Sequence, residues 1–448
     1  MSMGWKGKQA VVIGAGISGL VAARALSDHF ERVVVLERDE LPRGATPRPG
    51  VPQGKHPHSL LAGGLIALNE LFPGFVDSAM QAGGQAADVG ADVQVEYPGV
   101  SPFPRRRLDT LIVLMSRPQI ELVTRTRLEA CGNVSLIGGC QHVSILGNPD
   151  SLAVTAVFYE NREGARQKML ADLVVDASGR GTPTLDFLRN VGLPEPEETV
   201  IGVDINYTTA LYDVPTTLAP DFKASVTLAE APEKSRCSCT VLREDGLWFV
   251  LLVSRGADRS PANEDAFVAF SQDLPTSTTY DLISRGKRQG KLSRYSFPES
   301  RRRHFNRMTA FPRGLVPLGD SVCRLNPVYA HGMTVAAKEA VVLREVLKAH
   351  ASNYDPLDGV SHDYLQRIES VIDDPWAMSS VLDLIYPHTR GQRPENLRQM
   401  IEYQTALSNA ATRDPALHKL CVEVRDLVKP ASVVHSPEVV KMVKALTA

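Results

Sequence analysis

Two short, unbroken apolar runs rich in β-branched residues, AVVI at 10–13 and VVVL at 33–36, flank a stretch whose apolar residues recur at helical spacing, ISGLVAARAL at 17–26. Runs of this kind predict strands covered on both faces, as in a parallel sheet, with a helix crossing between them. A second apolar helix is expected at LLAGGLIALNELF, residues 60–72. Farther on the period changes to two. VDINYTTALY, CSCTVLRE and LWFVLLVS, between residues 203 and 254, alternate and are separated by turn residues, which predicts a mostly antiparallel sheet. Beyond residue 351 the pattern is helical to the end. Asp374-Pro375 in DDPWAMSSVLDLIYP is expected to cap and begin a helix, with the adjacent Asp373 and Asp374 serving as capping groups and not as an acid–base pair.

The bulk properties narrow the classes. A chain of 448 residues carries two or three packed units. Its 49 basic and 51 acidic residues leave a net charge of −2, which gives no global attraction to nucleic acid or to an anionic membrane. Six cysteines form neither a metal spacing nor a disulfide framework, so they are read as reduced and cytoplasmic; Cys237 and Cys239 share a strand face and pack. The lysines and apolar run at the start imitate a leader. The run is too short to span a bilayer and holds three glycines at fixed offsets, which a strand, turn and helix explain better.

Those glycines, Gly14, Gly16 and Gly19 in GAGISG, follow the first strand directly as G-x-G-x-x-G. The first permits the tight turn, the second lets backbone approach a pyrophosphate, and the third lets helix pack on strand. Glu37 ends the second strand at the distance where an acidic residue meets a ribose. Strand, turn, helix, strand and acid in this order predict a dinucleotide site. The polar loop after it, RDELPRGATPRPGVPQGKHPHSL, is long enough to be functional. Its His56-Pro57-His58 is read as a rigid turn, since no cysteine or carboxylate partners in sequence support a metal.

Four places in order, GAGISG with Glu37, MSRPQIE around Arg117, DLVVDASGRGTPT around Asp176 and Gly179, and GLVPLGDSVCRLNPVYAHGM, resemble the FAD-dependent monooxygenases of the p-hydroxybenzoate hydroxylase superfamily. More narrowly, RPGVPQGKHPHSLLAGG, NPVYAHGM and DDPWAMSSVLDLIYP resemble the flavin epoxidases of polyether biosynthesis, the lasalocid and monensin type. The resemblance implies an α/β fold, α+β overall. A Rossmann-like FAD-binding domain (1–80, 105–190 and 285–350) interleaves with an antiparallel substrate domain (81–104 and 191–284), followed by C-terminal helices (351–448). It places Gly14, Ala15, Gly16, Ser18, Gly19, Glu37, Arg38, Arg48, Gln53, Arg117, Asp320, Pro327, Gly332 and Met333 on FAD. Asp320 takes the ribityl chain, Pro327 lies by the flavin ring, and the helix starting at Gly332-Met333 faces its N1/C2=O end. Where the superfamily carries Gly-Asp followed by Ala-His and later Gly-x-Gly-x-Asn, this chain has Val322-Cys323, Ala330-His331-Gly332 and Met333.

The implied activity is transfer of one oxygen atom from O2 to an apolar alkene or arene through a C4a-hydroperoxyflavin, in secondary metabolism. NADPH, NADH or an external flavin reductase supplies the electrons. No side chain is named as catalytic, no metal is expected, and no second Rossmann fingerprint points to a separate NADPH domain. The rivals are a flavin-dependent reductase of isoprenoid double bonds and a flavin-binding partner without turnover. A halogenase is disfavoured because no W-x-W-x-I-P segment occurs among Trp5, Trp248 and Trp376. DASGRG is expected near the FAD pyrophosphate or the nicotinamide path. The runs Arg105–Arg107 and Arg301–Arg303 are read as solvated faces, with capture of an NADPH phosphate as the lesser reading.

Overall fold

A computed structural model describes residues 7–98, 103–148 and 150–447. Trp5 and Lys6 at the start and residues 99–102 of the expected substrate domain lie outside it. The two β-branched runs are neighbouring strands, Gly7–Ile13 and Phe30–Leu36, in a five-stranded parallel sheet. Its order is Leu315–Pro317, Leu173–Asp176, Gly7–Ile13, Phe30–Leu36, Val134–Ile137. Val11, Val12, Val33, Val34, Val174 and Val175 are fully buried, as continuous apolar strands of a two-sided sheet must be. The helix Ile17–Ser27 covers one face together with Gly332–Ala349, and their alanines and leucines share one core.

A seven-stranded sheet stands beside this layer. Its order is Cys323–Arg324, Lys287–Arg303, Glu198–Asp213, Trp248–Arg255, Cys237–Leu242, Ala224–Thr227, Val93–Glu96. Every pairing is antiparallel except the last, between Ala224–Thr227 and Val93–Glu96. Alternation splits its two faces. Ala210, Tyr212, Val250 and Leu252 pack under the helices Glu264–Gln272 and Thr278–Arg285. The opposite face carries Ile205, Tyr207, Val253 and Phe297, and meets Leu384 of the C-terminal region.

Three expectations are corrected. Lys287–Arg303 was assigned with the cofactor domain from residue 285; it is a strand of the seven-stranded sheet, paired along its length with Glu198–Asp213. Pro375 lies inside the helix Glu369–Leu384 and does not begin it. That helix follows Val360–Arg367 across Ile368, and the aspartates do not cap it: Asp373 pairs with Arg302 at 2.6 Å, and Asp374 accepts from the Ala431 N–H at 2.7 Å. Arg301–Arg303 is not a solvated face either. Arg302 is buried between Glu369 and Asp373, and its two neighbours both engage Glu198.

Candidate cofactor and substrate site

The glycine turn separates what the protein needs for itself from what it leaves open. Gly14 has φ +100°, and a Cβ there would stand 2.6 Å from the Ala177 carbonyl. At Gly19 a Cβ would stand 1.8 Å from the Gly14 carbonyl. At Gly16 it would meet only an Arg117 Nη atom, at 3.8 Å. The first and third glycines are therefore demanded by packing, while the second borders space. Gly16 caps the helix without a side-chain bond, so the first-turn N–H groups of Ile17 and Ser18 are left for a ligand.

That space is a cavity of about 700 Å³ between the two sheets. It brings together every residue expected on the cofactor except Ala15 and Gly19, which lie behind it. Glu37 is buried and already engaged: Oε2 accepts from the Ala15 N–H at 2.6 Å and Oε1 from the Asp39 N–H at 3.0 Å. Arg48, also buried, lies 3.2 Å from Glu37, 3.1 Å from Asp39 and 3.1 Å from Glu121, and donates to the Ala15 carbonyl at 3.2 Å. These carboxylates hold the guanidinium charged against the cost of burial. Arg48 thus clamps the glycine turn. Arg117, first residue of the helix Arg117–Glu129, bonds Glu121 through Nε at 3.0 Å and keeps a guanidinium edge beside Gly16.

A second turn, Gly319–Ser321, closes against the first. A Cβ at Gly319, φ +69°, would stand 2.3 Å from the Ser18 hydroxyl. The Gly319 N–H donates to Glu339 at 2.6 Å; that carboxyl is fully buried, and burial pushes its pKa up to about 8. Asp320 opens into the cavity, and its protein surroundings raise its pKa while Arg324, Arg117 and Arg180 oppose the shift. Pro327 and Val328 also face the cavity, but Asn326 and Tyr329 turn the other way and seize Asp383 of the C-terminal helix, at 2.8 Å each. Arg255 of the seven-stranded sheet pairs with the same carboxylate at 2.7 Å. The loop before Gly332 is thereby held from behind by two other elements. The atypical residues have structural posts: Val322 and Cys323 belong to the core, and the His331 Nε2–H donates to the Arg425 carbonyl at 3.0 Å. Gly332 begins its helix at the cavity, and a Cβ there would meet nothing within 4 Å.

The opposite wall belongs to the seven-stranded sheet. Tyr207, Leu251, Tyr295 and Phe297 face the cavity, with Tyr207 and Tyr295 ring to ring at 5.2 Å. His56 stands edge-on to Tyr207 at 4.7 Å, and its Nδ1 bonds the Thr209 hydroxyl at 2.7 Å. Burial and Lys55 pull the His56 pKa down to about 4. His58 falls to about 3, chiefly by burial and then by Arg117. Both are neutral rings at pH 7. The sequence did not single out Tyr207, Tyr295, Arg324, Glu121 or Asp383. Alternation puts Tyr207 on a sheet face without saying which one, and Glu121 is readable only as the i+4 partner of Arg117. Nothing local marks Asp383. Among the described residues no group of three or more His, Cys, Asp or Glu side chains has the arrangement of a metal site.

A parallel nucleotide-type sheet, an antiparallel sheet roofing its glycine turns, and helices closing the C-terminal side make up the fold of flavin-dependent monooxygenases and halogenases. Solved structures with this fold include a flavoprotein/dehydrogenase from Cytophaga hutchinsonii (15% identity, TM-score 0.68, 98% of each chain). The p-nitrophenol 4-monooxygenase PnpA from Pseudomonas putida DLL-E4 has 15% identity and TM-score 0.61, over 94% of this chain and 98% of that one. The myxobacterial chondrochloren halogenase CndH has 16% identity and TM-score 0.65, over 98% and 97%. Residues 12–70 match the family model of an NAD(P)-binding Rossmann-like domain. Among curated proteins, Protein Rv3254 of Mycobacterium tuberculosis is 29% identical over 431 residues, 91% of this chain and 87% of that one.

Proposed function

We propose that the protein is an FAD-dependent monooxygenase acting on an apolar organic substrate. The carrying observation is the single cavity in which an open second glycine, the uncapped starts of two helices and the cavity-facing Asp320 meet the aromatic wall. These residues fit FAD. Ile17 and Ser18 would offer N–H donors to its pyrophosphate, with Arg117 alongside, and Asp320 would accept from a ribityl hydroxyl. The Gly332 helix start, which opens at the cavity, would offer its positive end to a flavin ring that gains charge on reduction. Bound FAD, once reduced by NADPH, NADH or a flavin reductase, supplies the electrons that activate dioxygen.

The chain's own contribution is to bind, orient and exclude water. Tyr207, Leu251 and Phe297 offer a largely apolar face to the substrate, and the neutral His56 adds no charge to it. His56 and His58, the histidines at the cavity whose pKa values are held near 4 and 3, are weak bases for a phenol. This favours epoxidation of an alkene, which has no proton to remove, over phenol hydroxylation, and agrees with the resemblance to the polyether epoxidases. Halogenases share the fold, but the W-x-W-x-I-P segment is absent. Oxygen uptake on adding linear polyenes and phenols, with product mass under labelled dioxygen, tests the reading. A polyene product one oxygen atom heavier supports it. Saturation of the double bonds without oxygen uptake indicates the reductase, and no turnover indicates a flavin-binding partner.

A further inference from the structure

At the aromatic wall of the cavity Arg180 and Arg324 carry charge that little carboxylate answers. Arg180, in the turn after Leu173–Asp176, is exposed to the cavity and donates to the Tyr295 hydroxyl while its guanidinium lies 5.6 Å from that ring. No ion pair within 4.0 Å links it to a carboxylate among the described residues. Arg324 lies 5.3 Å from the Phe297 ring and donates to the Glu299 carbonyl at 3.0 Å. Its nearest carboxylate, Glu299 at 3.6 Å, already bonds Arg301 at 2.5 Å, and its own Nε is buried without a partner. The two guanidiniums oppose each other, so that burial and Arg180 together lower the Arg324 pKa. Arg324, Arg117 and Arg180 all act on the Asp320 carboxylate, which is thus shared among three cations. Asp186, also on the cavity, pairs with Arg189. Like charges left side by side at a partly desolvated wall are unfavourable until an anion joins them.

We propose that Arg180 and Arg324 form an anion subsite for the carboxylate of the oxidised substrate, which makes that substrate an apolar acid and not a neutral hydrocarbon. The choice of a carboxylate with an apolar tail follows from the setting. The arginines sit at the end of the wall formed by Tyr295, Tyr207, Phe297 and Leu251, so a head bound by the guanidiniums lays its chain along the rings. That the ligand is oxidised rests on the monooxygenase reading; that it is an anion rests on the side chains alone.

Calorimetric titration of the FAD-loaded protein with retinoic acid, its methyl ester and NADPH tests this without turnover. The acid is expected to bind at least about tenfold tighter than the ester. Arg180→Gln and Arg324→Gln each weaken the acid by about ten- to a hundredfold, as loss of a charge-assisted hydrogen bond does, and leave the ester within about twofold. Arg180→Lys and Arg324→Lys keep part of the preference, and they decide the matter if a Gln variant loses its FAD or its fold. Equal affinity for acid and ester in the wild type overturns the subsite. Variants that weaken NADPH but not the acid overturn it too, because the pair then serves nucleotide phosphates. Oxygen uptake is read separately: a protein that prefers the acid yet never consumes oxygen refutes the monooxygenase reading and spares the subsite.

Discussion

Arg48 and Arg180 line the same cavity and have opposite fates. Arg48 is buried among Glu37, Asp39 and Glu121, whereas Arg180 reaches the cavity bonded to the Tyr295 hydroxyl and with no ion pair among the described residues. The first holds a glycine turn in shape; the second keeps its charge for something else. The same division runs through the whole site. The glycine side is built from groups that satisfy one another and leave a few backbone donors over. The sheet side presents rings, the neutral His56 and arginines with little counter-charge. A residue's presence on a cavity is thus a weaker guide to ligand contact than the state of its hydrogen bonds and counter-charges.

The largest expected effect tests that division. Arg48→Met leaves three carboxylates without their shared cation, and a broken buried pair costs about 3–5 kcal/mol, readable by urea denaturation. Stability is also expected to fall with acid. The folded His56 pKa is depressed to about 4 from 6.5, so its contribution is complete above pH 6.5 and is lost as pH falls through that window. The loss is about 3 kcal/mol at most, and His56→Gln should flatten that part of the stability profile. Next is Asp320→Ala, which should weaken FAD binding by about 1.5–3 kcal/mol with little change in the melting temperature of the apoprotein. Arg180→Gln should be the smallest, shifting folding stability by no more than about 0.5 kcal/mol. A large loss there would show that Arg180, like Arg48, is architecture.

Much of the fold was legible because each half writes its own period. Unbroken valine runs mark the buried parallel strands, and alternation marks the roofing sheet. Lys287–Arg303 was misassigned because its alternation is hidden by charge: its last three residues are arginines, paired with Glu299 of the same strand and with Glu198, Glu369 and Asp373 of other elements. Pro375 was read as a helix start because proline favours a first turn, yet tertiary packing carries the helix through it. In the site, the glycine turn and Asp320 were visible as motifs, being local in sequence. The cluster of Arg255, Asn326, Tyr329 and Asp383 was not, since it joins residues from a sheet, a loop and a C-terminal helix.

The claim on which the rest depends is that the glycine side is shaped for a dinucleotide flavin, with Arg48 and Glu37 as its frame. Heat-denaturing the purified protein and identifying the released flavin by chromatography tests it most directly. The account predicts FAD, bound without a covalent link and released whole into the supernatant. Release of FMN, or a folded protein that neither carries FAD nor takes it up when FAD is added, would contradict it.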